Sequence, residues 1–142
     1  MKERRKILNQ IAERFGLSVI YAFGSKANEV LEWLEYERSE LSISSSSDMD
    51  IGVKPYPGKK LSVQEKVYLT MALEDLFAVR NIDLVVIPEV DPFLAANIVR
   101  GERIYCRNEY EADEYDLYVL RRAGDLAPLE KERMALVLGD DS

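Results

Sequence analysis

Ile7, Leu8, Ile11, Ala12 and Phe15 recur at helical spacing and Gly16 follows as a stop, so the chain is expected to open with an amphipathic helix. The pattern then changes. Val19-Ile20-Tyr21-Ala22-Phe23 is a β-branched and aromatic run that breaks off at Gly24-Ser25-Lys26-Ala27, which predicts a strand leading into a glycine turn. Helical spacing resumes with Val30, Leu31, Leu34 and Leu41 among acidic residues, Trp33 and Tyr36, and Ser42 to Ser47 reads as a flexible loop. Met49 to Val53 is the next apolar strand, followed by a loop at Pro55-Tyr56-Pro57-Gly58-Lys59-Lys60. Ser62-Val63-Gln64-Glu65 has capping-box spacing, and Val67, Leu69, Leu73, Leu76 and Phe77 supply the face of the helix it starts. Ile82 to Ile87 is a third strand, closed by Pro88. Asp91-Pro92 heads a helix over Phe93 to Val99, and Arg103 to Cys106 is a short edge strand. Glu109 to Arg122 predicts a helix ended by Gly124, and Leu129 to Leu138 one more.

Helices alternating with few strands predict an α/β or α+β fold, a mixed sheet of about four strands flanked by helices. The strands beginning near residues 19, 49 and 82 form its centre. The 142 residues fit a single domain, 1–142, with a core over about 17–106 and C-terminal helices over 109–138. No internal repeat or dividing linker is visible.

Composition narrows the chemistry. Apolar residues make up 47% and charged residues 32%, as in an ordinary soluble globular protein. No stretch is apolar enough to cross a membrane, and the basic start Met1-Lys2-Glu3-Arg4-Arg5-Lys6 leads into the amphipathic pattern, so a cytoplasmic location is expected. Cys106 is the only cysteine, which excludes an intramolecular disulfide and a cysteine-based zinc cluster. Histidine is absent, which removes Ser-His-Asp and Cys-His catalysis and leaves carboxylates as the main basic and metal-binding groups. With 19 Lys and Arg against 26 Asp and Glu, the net charge of −7 disfavours long nucleic acid as a substrate. A small nucleotide brought in with Mg²⁺, or a basic protein partner, suits that sign.

Asp48 and Asp50 stand two residues apart at an apolar strand, where alternation sends both side chains to one face, about 6–7 Å apart. Strand interiors are depleted in Asp, and a carboxylate there needs a compensating group, for which Mg²⁺ with a substrate phosphate is suited. Asp83 places a third carboxylate in the following strand. Taken singly, each feature has an ordinary structural use. Gly24-Ser25 can be only a turn and cap, Asp48 a loop or strand-entry residue, and Asp83 a cap on its preceding loop.

Together and in order, Gly24-Ser25, Asp48-x-Asp50 and Asp83 resemble the pattern of the DNA polymerase beta-like nucleotidyltransferase superfamily. Within it, "FGSKA", "SDMDIGV" and "IDLVVI" look most like the minimal nucleotidyltransferase (MNT) proteins, small single domains that act as antitoxins of HEPN-domain toxins. The motifs cover Val19 to Ile87. The resemblance implies a nucleotidyltransferase fold, ATP as substrate, sites for two Mg²⁺ ions at Asp48, Asp50 and Asp83, and phosphate contacts at Gly24 and Ser25. It implies transfer of AMP to a hydroxyl of a protein partner, a HEPN toxin, in a homo- or hetero-oligomer. Transfer to a small molecule such as an aminoglycoside, or toxin binding without catalysis, are the alternatives. Asn28-Glu29 stands where the family often has Arg-Gly, and the span to Asp48 holds an additional amphipathic segment, so acceptor access is expected to differ.

Overall fold

The structure, a computed structural model, describes residues 3–36 and 48–138. Helix α1 (Glu3–Phe15) buries the expected stripe of Leu8, Ile11, Ala12 and Phe15, and Gly16 ends it in the left-handed region at φ +66°. Strand β1 (Leu17–Phe23) begins two residues before the apolar run that predicts it, and all seven of its residues are buried. It is an inner strand covered on both faces, which is why it reads as continuous and not alternating. Helix α2 (Ala27–Tyr36) turns Val30, Trp33 and Leu34 inward. The helical spacing expected through Leu41 and the serine run 42–47 lie outside the described residues.

Strand β2 (Met49–Pro55) leads through the expected loop to α3 (Val63–Phe77). The capping box forms as its spacing predicts. Ser62 Oγ accepts from the Glu65 amide and the Glu65 carboxylate accepts from the Ser62 amide, both at 3.0 Å. Strand β3 (Ile82–Val86) passes through a 3-10 turn at Ile87–Glu89 into α4 (Pro92–Val99). Asp91 caps α4 by accepting from the amides of Phe93 at 2.9 Å and Leu94 at 3.0 Å. Strand β4 (Glu102–Cys106) and helix α5 (Glu109–Val137) complete the chain.

The four strands form one mixed sheet in the order β3-β2-β1-β4, with β1 antiparallel to both neighbours and β2 parallel to β3, so β3, expected at the centre, is an edge strand because β4 takes the far side of β1. Helices α1, α2 and α3 cover one face, where Leu8, Trp33, Leu34, Leu69 and Phe77 pack on Ile20, Met49, Ile51 and Val53. Helices α4 and α5 cover the other, where Ala95, Ile98, Ala112 and Val119 pack on Val19, Tyr21 and Phe23. No helix among the described residues is long and apolar enough to cross a membrane.

The C-terminal expectation of two helices is corrected: α5 runs unbroken for 29 residues through Gly124 and Pro128. Nothing lies within 4 Å of a Cβ placed on Gly124, and the helix there carries no packing that a break would serve. Pro128 forfeits a bond to the carbonyl four residues back, which is that of Gly124. The strong helix formers Leu126, Ala127, Leu129, Glu130 and Lys131 around it keep the remaining ladder intact.

Gly52 lets α4 lie close on the sheet. A Cβ at this position would stand 2.5 Å from Ile98 Cγ2 and 3.5 Å from Ile87. Gly52→Ala is expected to cost about 1–3 kcal/mol in urea unfolding, and less in a chain that already carries Ile98→Ala, which removes that Cγ2. An equal cost in both backgrounds would show that the contact is not the cause.

Candidate active site

The end of β1 and the beginnings of β2 and β3 meet at one edge of the sheet. Phe23, the last residue of β1, pairs with Asp50, and Asp50 is in turn the register partner of Asp83 on the parallel neighbour. Register partners on adjacent strands sit about 4.8 Å apart and point to the same face. Met49, Ile51 and Val53 enter the core beneath α1 to α3, so Asp50 must project to the other face. Helix α4 covers that face as far as Gly52, over which Ile98 lies, and stops short of Asp50.

Asp50 is half-buried, while Asp83 and Asp48 are exposed. Asp48 immediately precedes Met49, the first residue of β2, as a strand-entry residue. Burial is the main reason the Asp50 carboxyl is pushed above the usual carboxylate range, and the charges of Asp83 and Asp48 push it further in the same direction. The three carboxylates therefore repel one another at this corner.

Gly24 closes the corner from the side of β1. Its φ is +76°, and a Cβ on it would stand 2.4 Å from Asp50 Oδ2, so the turn backbone packs directly against that carboxylate. Ser25 is exposed in the 3-10 turn Gly24–Lys26, and no side chain caps the amides that open it. All five residues singled out from the sequence thus lie on this one edge: Gly24, Ser25, Asp48, Asp50 and Asp83.

The donor set fits Mg²⁺. It consists of carboxylate oxygens without nitrogen or sulfur, and a divalent cation would relieve the repulsion at Asp50. Among the described residues no three acidic, histidine or cysteine side chains already converge as a metal cage.

A pH-dependent difference follows. Because Asp50 holds its proton more tightly folded than unfolded, its stability contribution is present below the unfolded value and is lost as pH rises through the raised folded one. In a chelating buffer Asp50→Asn should match wild type in the acid range and melt about 2–4 °C higher near pH 7. Mg²⁺ should close that gap. A gap that is constant with pH, or unmoved by Mg²⁺, would mean that the carboxylates do not interact as described.

Sequence reasoning did not find the group behind this edge. The Tyr21 hydroxyl donates to Asp116 of α5, and Arg103 of β4 binds Asp116 at 2.7 Å and Asp113 at 3.0 Å. Burial raises the Tyr21 pKa strongly, with the Asp116 hydrogen bond adding to it, so the hydroxyl stays protonated and ties β1 to α5. Partners 95 residues apart leave no spacing signal. Lys59 and Lys60, expected to be loop charges, take no part in the edge, and Lys59 pairs with Glu65 at 3.2 Å. A cleft of about 700 Å³ runs along the outside of α5 past Leu117, Tyr118 and Arg121, away from the carboxylates. Chemistry and not volume marks the candidate site.

The polymerase beta nucleotidyltransferase family model matches residues 5–110. No curated protein matches the sequence. Among solved structures, the chain is similar to one in a toxin–antitoxin crystallised with AMP-PNP, at 15% identity and TM-score 0.70, over 94% of this chain and 98% of that one. A tri-AMPylated Shewanella oneidensis HEPN toxin in complex with MNT antitoxin contains a second similar chain, at 15% identity and TM-score 0.67, over 97% and 99%. The toxin–antitoxin pair MntA–HepT contains a third, at 14% identity and TM-score 0.67, over 97% and 99%. At these identities the likeness is one of fold.

Proposed function

Because the chain belongs to the polymerase beta nucleotidyltransferase family, we propose that it moves AMP from ATP onto a hydroxyl of a protein partner in a Mg²⁺-dependent reaction. The observation that carries this is the register of Asp50 with Asp83, with Asp48 adjoining.

In nucleotidyl transfer a bond forms between the acceptor oxygen and the α-phosphorus, the bond from that phosphorus to the pyrophosphate breaks, and the acceptor proton must be taken up. Asp48 and Asp50 would hold the ion that grips the triphosphate, and Asp83 would join them around the ion beside the attacking hydroxyl. Bound there, Mg²⁺ supplies charge to the phosphoryl oxygens and lowers the pKa of that hydroxyl. Asp83, exposed and with no histidine anywhere in the chain to compete, receives the proton. Gly24 admits the phosphate against the backbone, and Ser25 with the uncapped amides of the turn donates to its oxygens. The neighbouring α2 starts at Ala27, so its opening dipole favours the same negative charge.

The acceptor proposed is a HEPN toxin, inactivated by the modification. Support comes from the similar structures, one of which holds a HEPN toxin in complex with MNT antitoxin, and from the net charge of −7, which suits a basic partner. Neutralisation of the partner by substoichiometric protein separates catalysis from simple covering. Wild type is expected to silence about a hundredfold excess of toxin when given ATP and Mg²⁺, and Asp48→Asn/Asp50→Asn to fail at that ratio. Equal neutralisation by both proteins, reached only at one-to-one stoichiometry, would instead establish inhibition by binding.

A further inference from the structure

We propose that the free edge of β3 binds the acceptor segment of the protein partner as an extended strand and so carries its hydroxyl to Asp83. The acceptor role rests on the transfer reaction proposed above; the strand pairing does not. β3 is an outermost strand, with β2 its neighbour on one side alone. The Met49 amide donates to the Asn81 carbonyl at 3.2 Å, and the directions of the following backbone groups alternate from there. Those of Asp83 and Val85 turn to β2, as their register requires. Those of Ile82, Leu84 and Val86 turn outward, and no strand among the described residues pairs with them. Such a row of donors and acceptors is a template for another chain.

An apolar shelf runs beside this edge. Val63, Val67 and Met71 of α3 are each more than half exposed and, with half-buried Leu84, wall a groove of about 460 Å³. Ile82, Leu84 and Val86 turn their side chains to the core beneath α1 to α3, so Asp83 between them faces the other side of the sheet, that of Asp50. A strand added to β3 follows the same alternation. Its residues opposite Ile82 and Leu84 send their side chains over the α3 groove, and the one opposite Asp83 stands about 5 Å from it on the acidic side. One bound segment thus fills the groove and presents a hydroxyl to the carboxylate.

The groove also has a polarity. Lys66, near the start of α3, pairs with Glu89 at 2.6 Å beyond the end of β3, so α3 runs back along the strand. Glu74 follows eight residues later, about 12 Å along the helix and toward Ile82, and has no ion pair among the described residues. The segment that fits has Ser, Thr or Tyr between two apolar residues and a Lys or Arg at the end nearer Glu74. A helical segment has its own backbone groups paired and leaves those of Ile82 and Leu84 without partners.

Amide hydrogen exchange of the full chain, alone and bound to a HEPN toxin partner without ATP, tests the pairing. Exchange at Ile82 and Leu84 is expected to slow about tenfold or more in the complex, while Asp83 and Val85, already bonded to β2, change little. Met71→Lys, and Leu84→Pro, which deletes an outward N–H and spares the ladder to β2, should each weaken the complex about tenfold or more. Tyr68→Lys, exposed on α3 but outside the groove, should leave affinity within about twofold. Met71→Lys replaces an exposed side chain and carries the test even if Leu84→Pro does not fold. Unchanged exchange at Ile82 and Leu84, unchanged affinity in Met71→Lys, or an equal loss in Tyr68→Lys would overturn the proposal. Slowed exchange at both amides in a complex that takes up no label from ATP would uphold the pairing and overturn the transfer reading instead.

Discussion

Asp50→Asn is expected to slow AMP transfer by at least about a thousandfold while leaving the chain folded. Asp50 is the carboxylate common to the whole corner. It is the register partner of Asp83, it feels the charge of Asp48, and the Gly24 turn packs on its oxygen. In the proposed arrangement it serves both metal positions, so its loss cannot be made up by either neighbour alone. Metal-ion catalysis contributes several kcal/mol of charge stabilisation, and three decades in rate correspond to about 4 kcal/mol. The fold should survive, because the amide keeps the shape of the side chain and relieves the repulsion that raises the Asp50 pKa. Single-turnover rates at saturating ATP and Mg²⁺ measure the effect directly. A loss below about tenfold would remove Asp50 from the reaction.

The second large effect is expected at Gly24. Gly24→Ala forces an L side chain to adopt φ +76° and places a methyl group 2.4 Å from Asp50 Oδ2. The conformation alone costs about 1–2 kcal/mol, and relieving the collision must move either the turn or the carboxylate. Stability should fall by about 2 kcal/mol and transfer by about a hundredfold, since a displacement of about 1 Å at a positioned group has consequences of that order. The two causes separate in a double variant. In Asp50→Ala the obstructing oxygen is gone, so adding Gly24→Ala should then cost only the conformational part in urea unfolding. An undiminished cost there would show that Asp50 is not what Gly24 accommodates.

Much of the local structure was legible in the sequence because its causes are local. Ser62 and Glu65 are three residues apart and cap each other, Asp91 caps the helix that Pro92 opens, and the run from Val19 to Phe23 is apolar on both faces because both faces are covered. The candidate site residues stand out by their order in the chain, and the structure puts all five on one edge of the sheet. Three features were not legible. The pairing of Asp50 with Asp83 depends on the register of two parallel strands joined by a long crossover, and alternation within each strand does not state it. The Tyr21, Arg103 and Asp116 group joins three elements whose separations in sequence carry no period. The continuity of α5 ran against two residues that break helices on average, Gly124 and Pro128. Asp48 precedes the strand because β2 takes up its pairing only at Met49, opposite Ile82.

The position of the edge also departs from the usual rule for open sheets, in which ligands bind beyond the carboxyl ends of the strands. Here the edge joins the carboxyl end of β1 to the amino ends of β2 and β3. The cause is the antiparallel pairing of β1 with β2, which brings the Gly24 turn to where the two acidic strands begin.

The measurement that bears most directly on the proposed function is label transfer from α-phosphate-labelled ATP with Mg²⁺ to a HEPN toxin partner, using wild type beside Asp48→Asn/Asp50→Asn. Label on the toxin with wild type, abolished in the double variant and by chelation, is the predicted result. Label that persists in the double variant, or a stable complex with wild type that takes up no label, would contradict the assignment of the acidic edge as the transfer site.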